Sequence, residues 1–305
     1  MIKVLFVCTV PTDKSGIPNV IFNLLDRLDI DKYEMGYVSI NEPSDFYKSK
    51  LDRINAKLFV VPRKLTNPLR YIFYLSRVAK DYDIIHVHGN SATMVLEMIA
   101  AKIAGVKVRI AHSHNTTCNM KSIDTLVRPL FYRLCNGRLA CGIEAGKWLF
   151  KNKDFKIINN GIDVEKFRFD EILRASIRDQ LRITRECLII GHIGNFVRQK
   201  NHTFIIDIFH RFATLHPNSK LLLLGEGPLK TSIQSRVQSL GLSDCVIFAG
   251  SVNQPQEYMN AMDVVVMPSL FEGLPLTLIE EQANGLSIVA ADTITPDANI
   301  TGNIT

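Results

Sequence analysis

Short runs of β-branched and apolar residues alternate with amphipathic stretches from the start of the chain. In the first half these runs predict β-strands over residues 4–8, 35–40, 58–61, 84–87 and 108–111. Between the first two, apolar residues from Ile17 to Leu28 recur at intervals of three and four, and Pro18 suits the first turn of a helix. Strands that alternate with helices indicate a parallel sheet covered by helices.

The same alternation restarts in the second half of the chain. Further strands are predicted over residues 188–193, 220–224, 246–249, 264–267 and 288–291, with a charged helix over residues 171–181 leading into them. The turn-forming cluster at residues 159–163 follows a strand-like run and marks the join. We therefore predict an α/β fold of two Rossmann-like, doubly wound domains, residues 1–163 and 164–305, facing a central cleft. Ligands are expected at the carboxyl ends of the strands.

Two carboxylates flank the start of a predicted helix after the strand at residues 264–267. Glu272 falls in the loop and Glu280 inside the helix, with Pro275 in its first turn and Gly285 at its C-terminal cap. The helix N-terminus suits a diphosphate, while the carboxylates suit pairs of hydroxyl donors: sugar hydroxyls at Glu272 and ribose hydroxyls at Glu280. Taken alone, the same residues also fit an ordinary loop Glu and a surface helix Glu.

Residues 268–280 closely resemble the Glu-x7-Glu signature of family 4 glycosyltransferases of the GT-B fold. The resemblance extends from Val4 to about Ala291 and includes an interdomain motif at residues 160–163. It implies a retaining, metal-independent enzyme that binds its nucleotide-sugar donor in the C-terminal domain, where Gly273 and Leu274 belong to the donor site.

The resemblance also assigns roles to three glycine-containing loops. The family places an Arg directly after the first Gly of the loop at residues 194–201 and a Lys a few residues later, both against the donor diphosphate. Lys200 matches the Lys, but Asn195 occupies the Arg position, and Arg198 is the replacement cation. The other donor-loop residues carried over are Gly225 and Glu226, beside the nucleotide, and Gly16, which approaches the donor phosphate from the N-terminal domain. Each also has a plain structural reading, as a solvated cation, a strand-ending turn or a helix cap.

Four histidines follow two predicted strands of the first domain: His86, His88, His112 and His114. Any one of them also fits a buried core residue. The resemblance implies that His114 contacts the transferred sugar, with His112 as the second choice. We predict His114, Glu272 and Lys200 as catalytic. A metal site formed by these four histidines is an alternative, but no carboxylate or Cys accompanies them at ligand spacing, so no metal is expected. The resemblance implies no other cofactor.

The charge distribution restricts the kinds of partner that we expect, and the cysteine content restricts the compartment. Residues 1–165 hold 24 basic against 16 acidic residues, within a total net charge of +6. The basic half suggests an anionic membrane surface or a phosphate-bearing acceptor, although a solvated basic face has the same composition. No basic helix or aromatic platform favours nucleic acid. Six scattered cysteines are typical of a reducing cytoplasm, and we expect a cytoplasmic protein that associates peripherally with the membrane.

These features predict transfer of a sugar, by default from a UDP-sugar, to a saccharide or lipid-linked saccharide in cell-surface polysaccharide synthesis. The alternatives are a nucleotide-sugar 2-epimerase of the same fold and an inactive sugar-nucleotide-binding remnant. Family members normally continue past the strand at residues 288–291 with further helices. We therefore expect this 305-residue chain to be C-terminally truncated, with an exposed apolar face, a tendency to aggregate and slow transfer.

Overall fold

The computed structural model describes residues 1–12, 16–118 and 120–305. They form two compact units, Met1–Gly161 and Ile162–Thr305, each built on its own parallel sheet. The division falls two residues before the predicted boundary. Ser15, next to the predicted Gly16 loop, lies outside the described residues.

The first unit has seven parallel strands in the order β3-β2-β1-β4-β5-β6-β7. The strands are β1 (Ile2–Cys8), β2 (Tyr33–Ser39), β3 (Lys57–Val60), β4 (Ile84–Gly89), β5 (Val108–Ser113), β6 (Gly137–Ala140) and β7 (Lys156–Ile157). The helices are α1 (Gly16–Leu25), α2 (Asp45–Arg53), α3 (Pro68–Ala79), α4 (Val95–Ile103), α5 (Lys121–Leu134) and α6 (Ile143–Phe150). The five predicted strands and the first helix are confirmed, whereas β6 was not predicted.

Alternate residues of β1 belong to two separate apolar clusters, as the two-residue period of a strand requires. Leu5 and Val7 pack with one cluster, and Val4 and Phe6 pack with the other. Because both faces of the sheet are covered, its central strands read as nearly continuous apolar runs. This continuity made them visible in the sequence.

The second unit has five parallel strands in the order β10-β9-β8-β11-β12. The strands are β8 (Leu188–Ile193), β9 (Ser219–Leu224), β10 (Val246–Gly250), β11 (Val264–Met267) and β12 (Ser287–Ala290). The helices are α7 (Val164–Phe167), α8 (Glu171–Gln180), α9 (His202–Leu215), α10 (Lys230–Ser239), α11 (Pro255–Met259) and α12 (Leu276–Asn284). All five predicted strands and the charged helix at α8 are confirmed.

The last residues of the chain run beside β12. Ile288 donates its backbone N–H to Asn303 and accepts one from Thr305, and Ala290 donates to Thr305. Gln282 on α12 donates to the carbonyl of Ala298 at 2.8 Å. Backbone groups along the outer edge of β12 are thereby paired.

In both sheets the strand order reverses direction at one point. The reversal lies between β1 and β4 in the first unit and between β8 and β11 in the second. Loops that leave adjacent strands at such a point diverge, which leaves a crevice at their carboxyl ends. The groups that follow these four strands are therefore the ones whose chemistry matters most.

Candidate functional site

Two loops of the second unit are joined at the carboxyl ends of β8 and β11. The backbone N–H of Leu270 donates to the carbonyl of Gln199 at 2.8 Å, and the Gln199 side chain donates to the carbonyl of Phe271 at 2.9 Å. Gln199 is not among the residues predicted from the sequence. Its position between the two predicted cations, Arg198 and Lys200, was the only feature of the local sequence that pointed to Gln199.

Lys200 and Glu272, predicted separately for the diphosphate and the sugar, form one ion pair. The Lys200 Nζ lies 2.7 Å from the Glu272 Oε1, and Gln199 donates to the Oε2 at 3.0 Å. Both charged side chains are largely withdrawn from solvent, with 15% and 9% of their areas exposed. A pair so placed is held at a fixed position, which suits a site that must present charge to a ligand.

Gly194 packs closely against the stem of Lys200 and the ring of His192. A Cβ at Gly194 would lie 3.2 Å from the Cγ and Cδ of Lys200 and 2.9 Å from the Nε2 of His192. A side chain there would therefore displace the Lys200 stem. The glycine keeps the ammonium group at the Glu272 carboxylate.

The loop after β9 packs against the loop after β8 through its glycines. Gly225 and Gly227 have φ values of +140° and +156°, and a Cβ on either would approach backbone oxygen atoms of the β8 loop to 2.1 Å and 2.7 Å. Phe196 donates its N–H to the carbonyl of Glu226 at 2.9 Å. The Glu226 carboxylate is half-exposed and pairs with Lys230 at 2.6 Å. The two glycines are thus explained by close backbone packing.

The remaining predicted residues of these loops differ in exposure. Asn195 and Arg198 are exposed, whereas Gly273 and Leu274 are buried. Arg198 makes no salt bridge within the described part of the chain, so its guanidinium group is available to an anion.

The prediction that Pro275 lies in the first helical turn is wrong. It occupies the N-cap position in an extended conformation, and α12 begins at Leu276, because the chain must turn before the helix starts.

Two adjacent residues on α12 carry carboxyl groups with raised pKa values; Glu280 is partly exposed, and Glu281 is buried. Burial raises the pKa of Glu280 to about 7, with Lys166 acting in the opposite direction. Glu281 is fully buried, and neither of its oxygens has a hydrogen-bond partner among the described residues. Burial and then the neighbouring Glu280 raise the pKa of Glu281 well above the usual range. Perturbed carboxyl groups of this kind are frequent at functional sites. Glu280 was predicted from the sequence, and Glu281 was not.

Two buried histidines lie beside Lys200. The rings of His192 and His202 meet edge to face with centroids 4.9 Å apart, and His202 stacks on Phe196 at 4.1 Å. Burial lowers the pKa of His202 to about 4, with a further lowering from Lys200. Both rings are therefore neutral at pH 7. Neither histidine was predicted from the sequence, because His192 lies within an apolar strand and His202 opens a helix.

The first unit brings the four predicted histidines together at the ends of β4 and β5. The Nδ1 of His88 lies 2.9 Å from the Nε2 of His114, and the Nε2 of His86 lies 3.3 Å from the Nδ1 of His112. Burial lowers the pKa of His88 and His114 well below the usual range and that of His112 to about 3. All four imidazoles are neutral at pH 7, and His114 is the partly exposed residue among them, with its Nδ1 buried.

Gly16 starts α1 at the carboxyl end of β1 and is exposed. A Cβ built at this position would meet no atom within 4 Å, so packing within the described residues does not demand a glycine. Across that same part of the chain, no helix combines the length and apolarity needed to cross a bilayer.

Two parallel-sheet domains, each with polar and titratable groups at its strand ends, are the architecture of nucleotide-dependent transferases of the GT-B fold. The family described as Glycosyltransferase Family 4 matches residues 14–166, and Glycosyl transferases group 1 matches residues 174–302. The chain belongs to glycosyltransferase family 4 and is a glycosyltransferase.

Sequence relatives agree with this membership, and a solved structure agrees with the fold. Putative glycosyltransferase EpsF of Bacillus subtilis (strain 168) is 31% identical over 300 residues, which cover 93% of this chain and 77% of that protein. The Escherichia coli UDP-Gal:alpha-D-GlcNAc-diphosphoundecaprenol alpha-1,3-galactosyltransferase is 28% identical over 237 residues, 73% of this chain and 59% of that protein. HepE of Anabaena, solved with UDP-glucose, superposes with a TM-score of 0.78 at 18% identity, over 96% of this chain and 81% of its own.

Proposed function

We propose that this glycosyltransferase moves a sugar from a nucleoside diphosphate sugar, with UDP as the default nucleotide, to a hydroxyl group of a saccharide or lipid-linked saccharide. The anomeric configuration of the donor is retained in the product. The joined loops of the second unit, with the Lys200–Glu272 pair at their centre, are the observation that carries this proposal.

In the proposed site the donor diphosphate contacts three positive groups. They are the Lys200 ammonium, the exposed Arg198 guanidinium and the backbone N–H groups at the start of α12. Glu272 accepts hydrogen bonds from sugar hydroxyls, and Glu280 accepts them from the ribose. The ammonium of Lys200 bonds to Glu272 and to a phosphate oxygen together, since it carries three donors. Five further residues border the donor in the proposed site: Asn195, Gly225, Glu226, Gly273 and Leu274.

The proposed chemical step uses no enzymic nucleophile. The bond between the anomeric carbon and the leaving phosphate oxygen breaks, and the acceptor oxygen bonds to the same face of that carbon. The proton of the acceptor hydroxyl moves to the leaving phosphate oxygen, so that atoms and charge balance. Negative charge builds on the diphosphate as the bond breaks, where Lys200 and Arg198 stabilise it. His114 contacts the transferred sugar, and Gly16 allows the donor phosphate to approach the start of α1.

The proposed acceptor is anionic or lies at an anionic surface. The E. coli relative is named for a diphosphoundecaprenol-linked acceptor, and the basic first half of this chain suits a phosphate-bearing lipid. We place the activity in cell-surface polysaccharide synthesis, at the cytoplasmic side of the membrane. Sedimentation with anionic vesicles should be strong at low salt and weak at high salt. Equal sedimentation with neutral vesicles would contradict the proposed attraction to an anionic surface.

Transfer is proposed to need no metal, because protein cations neutralise the diphosphate. Activity should therefore survive an excess of EDTA. Complete loss in EDTA that Mg²⁺ or Mn²⁺ restores would overturn this part of the proposal.

The decisive test follows the products by NMR, with UDP-sugars and a panel of saccharide and lipid-linked acceptors. We expect a new glycoside with the anomeric configuration of the donor. An inverted product would exclude retention. A new sugar isomer formed without acceptor would identify a 2-epimerase, and donor binding without turnover on any acceptor would identify a binding protein.

A further inference from the structure

Three of the four histidines at the ends of β4 and β5 are arranged as a set of metal ligands. His86, His88 and His112 are all buried, and each offers a ring nitrogen within 4.8 Å of those of the other two. The sequence alone argued against a metal here, because it showed no carboxylate or Cys nearby. The parallel register removes that objection, since it brings β4 and β5 side by side and pairs His88 with His112.

The spacing fits a transition-metal ion. The Nε2 of His86 lies 3.3 Å from the Nδ1 of His112. Two nitrogens bound to Zn²⁺ at about 2.0–2.1 Å in a tetrahedral site lie roughly 3.3–3.4 Å apart. The same separation is long for a hydrogen bond between two ring nitrogens. The two rings are also nearly parallel, at 5°.

Ring nitrogens of the same cluster lack hydrogen-bond partners. Among the described residues, the Nε2 of His88 and the Nε2 of His112 are buried and unpaired, and of these only the His88 nitrogen would meet the ion, because His112 faces His86 through its Nδ1. A buried polar atom without a partner costs about 1–3 kcal/mol, and a bound ion would remove this cost. Neutral imidazole is also the form that binds metal, and the surrounding Phe6 ring keeps these rings from water.

We propose that His86, His88 and His112 bind one divalent transition-metal ion of the Zn²⁺ class. Imidazole ligands select Zn²⁺, Co²⁺, Ni²⁺ or Cu²⁺ over Mg²⁺ and Ca²⁺. Three protein ligands leave a fourth position for water. This site is distinct from the donor-binding loops of the second unit, and the proposal does not depend on the proposed function.

Metal binding has a consequence for His114. The Nδ1 of His88 already lies 2.9 Å from the Nε2 of His114, so the unpaired Nε2 of His88 is the nitrogen open to the ion. A metal on that nitrogen leaves the proton on the Nδ1, which then donates to His114. The ion therefore fixes the tautomer of His114, as outer hydrogen bonds of metal-bound histidines do.

The test uses the whole chain after chelator treatment and dialysis, with no nucleotide present. Titration with Zn²⁺ and Co²⁺, followed by calorimetry and elemental analysis, should give one ion per chain. Co²⁺ should produce the visible absorption bands of a tetrahedral nitrogen site. Mg²⁺ and Ca²⁺ should not bind at comparable concentrations. If the wild-type protein binds no stoichiometric Zn²⁺ or Co²⁺, the proposal is overturned without any variant.

Variants then locate the ion. His112→Gln should weaken Zn²⁺ binding at least tenfold and abolish the Co²⁺ bands, while circular dichroism reports whether the fold is kept. His210→Gln is the matched control, because His210 is an exposed histidine of the second unit. Unchanged Zn²⁺ affinity in a folded His112→Gln variant would place the ion elsewhere and refute the assignment. The same loss in both variants would also refute it.

Discussion

The raised pKa of Glu280 predicts that donor affinity depends on pH near neutrality. Burial raises this pKa to about 7, so the carboxyl group changes its charge between pH 6 and pH 8. In the proposed site, ribose hydroxyls donate to the ionised form of Glu280, so donor binding would compete with a proton. The donor should bind tightly at pH 8 and weakly at pH 6.

The size of the effect follows from the ionised fraction. With a pKa near 7, Glu280 is about nine-tenths ionised at pH 8 and about one-tenth ionised at pH 6. The dissociation constant should therefore rise roughly tenfold between the two, or about 1.4 kcal/mol. At pH 7, binding should release about half a proton, because the free enzyme is half protonated and the complex is ionised.

Calorimetry with a UDP-sugar measures both quantities. A nucleoside diphosphate sugar has no group that titrates between pH 6 and pH 8, and repeating the titration in buffers of different ionisation enthalpy gives the proton release. Glu280→Gln should bind the donor about ten- to a hundredfold more weakly at pH 8 and show no pH dependence. His210→Gln should behave as the wild type does. Equal affinity at both pH values with no proton release would refute the role of Glu280.

Three further predictions concern stability and the ion pair. Lys200→Met should weaken donor binding about ten- to a hundredfold and destabilise the second unit by about 3 kcal/mol, because it leaves Glu272 buried without its cation. Calorimetry measures the loss of binding, and urea unfolding measures the loss of stability. The double variant K200M/E272Q should regain stability without regaining donor affinity. Glu281→Met should stabilise the protein at pH 8 by about 1–3 kcal/mol, since it removes two unpaired buried oxygens. The folded pKa of Glu281 is raised, so this advantage should shrink as pH falls towards 4.5; a constant difference in urea unfolding would contradict it. His202 has a folded pKa of about 4, below its unfolded value, so the stability that its neutral form contributes falls by about 2 kcal/mol from pH 7 to pH 5. His202→Leu should remove that loss. A pH profile of unfolding that is the same in the variant and the wild type would contradict this prediction.

Most strands of both sheets were predictable from the sequence, for a physical reason. A strand buried on both faces reads as an unbroken apolar run, and β8 and β11 were located to the residue. β6 was missed because its sequence, Gly-Arg-Leu-Ala, holds a glycine and an arginine. It pairs with β5 through backbone groups, and local sequence carries little information about such pairing.

The site was predictable where a residue follows a strand and much less so where burial decides its chemistry. Lys200 and Glu272 were found by position, but their pairing across 72 residues was not. Glu281 was overlooked since a Glu inside a helix normally faces solvent, and only the packed structure shows that this one does not. The metal-ligand geometry of the histidines likewise depends on the register of β4 against β5.

The opposite electrostatics of the two groups of side chains fit the proposed reaction. As the glycosidic bond breaks, positive charge develops at the anomeric carbon and negative charge on the diphosphate. In the proposed site, Lys200 of the second unit is the fixed cation that stabilises the negative charge. The first unit supplies His114, whose pKa is held low by burial, so the ring stays uncharged. A neutral imidazole adds no charge of its own beside the developing positive charge, whereas an imidazolium would oppose it. Burial of the four histidines therefore does more than fill the core, because it keeps His114 in the charge state that the proposed reaction requires.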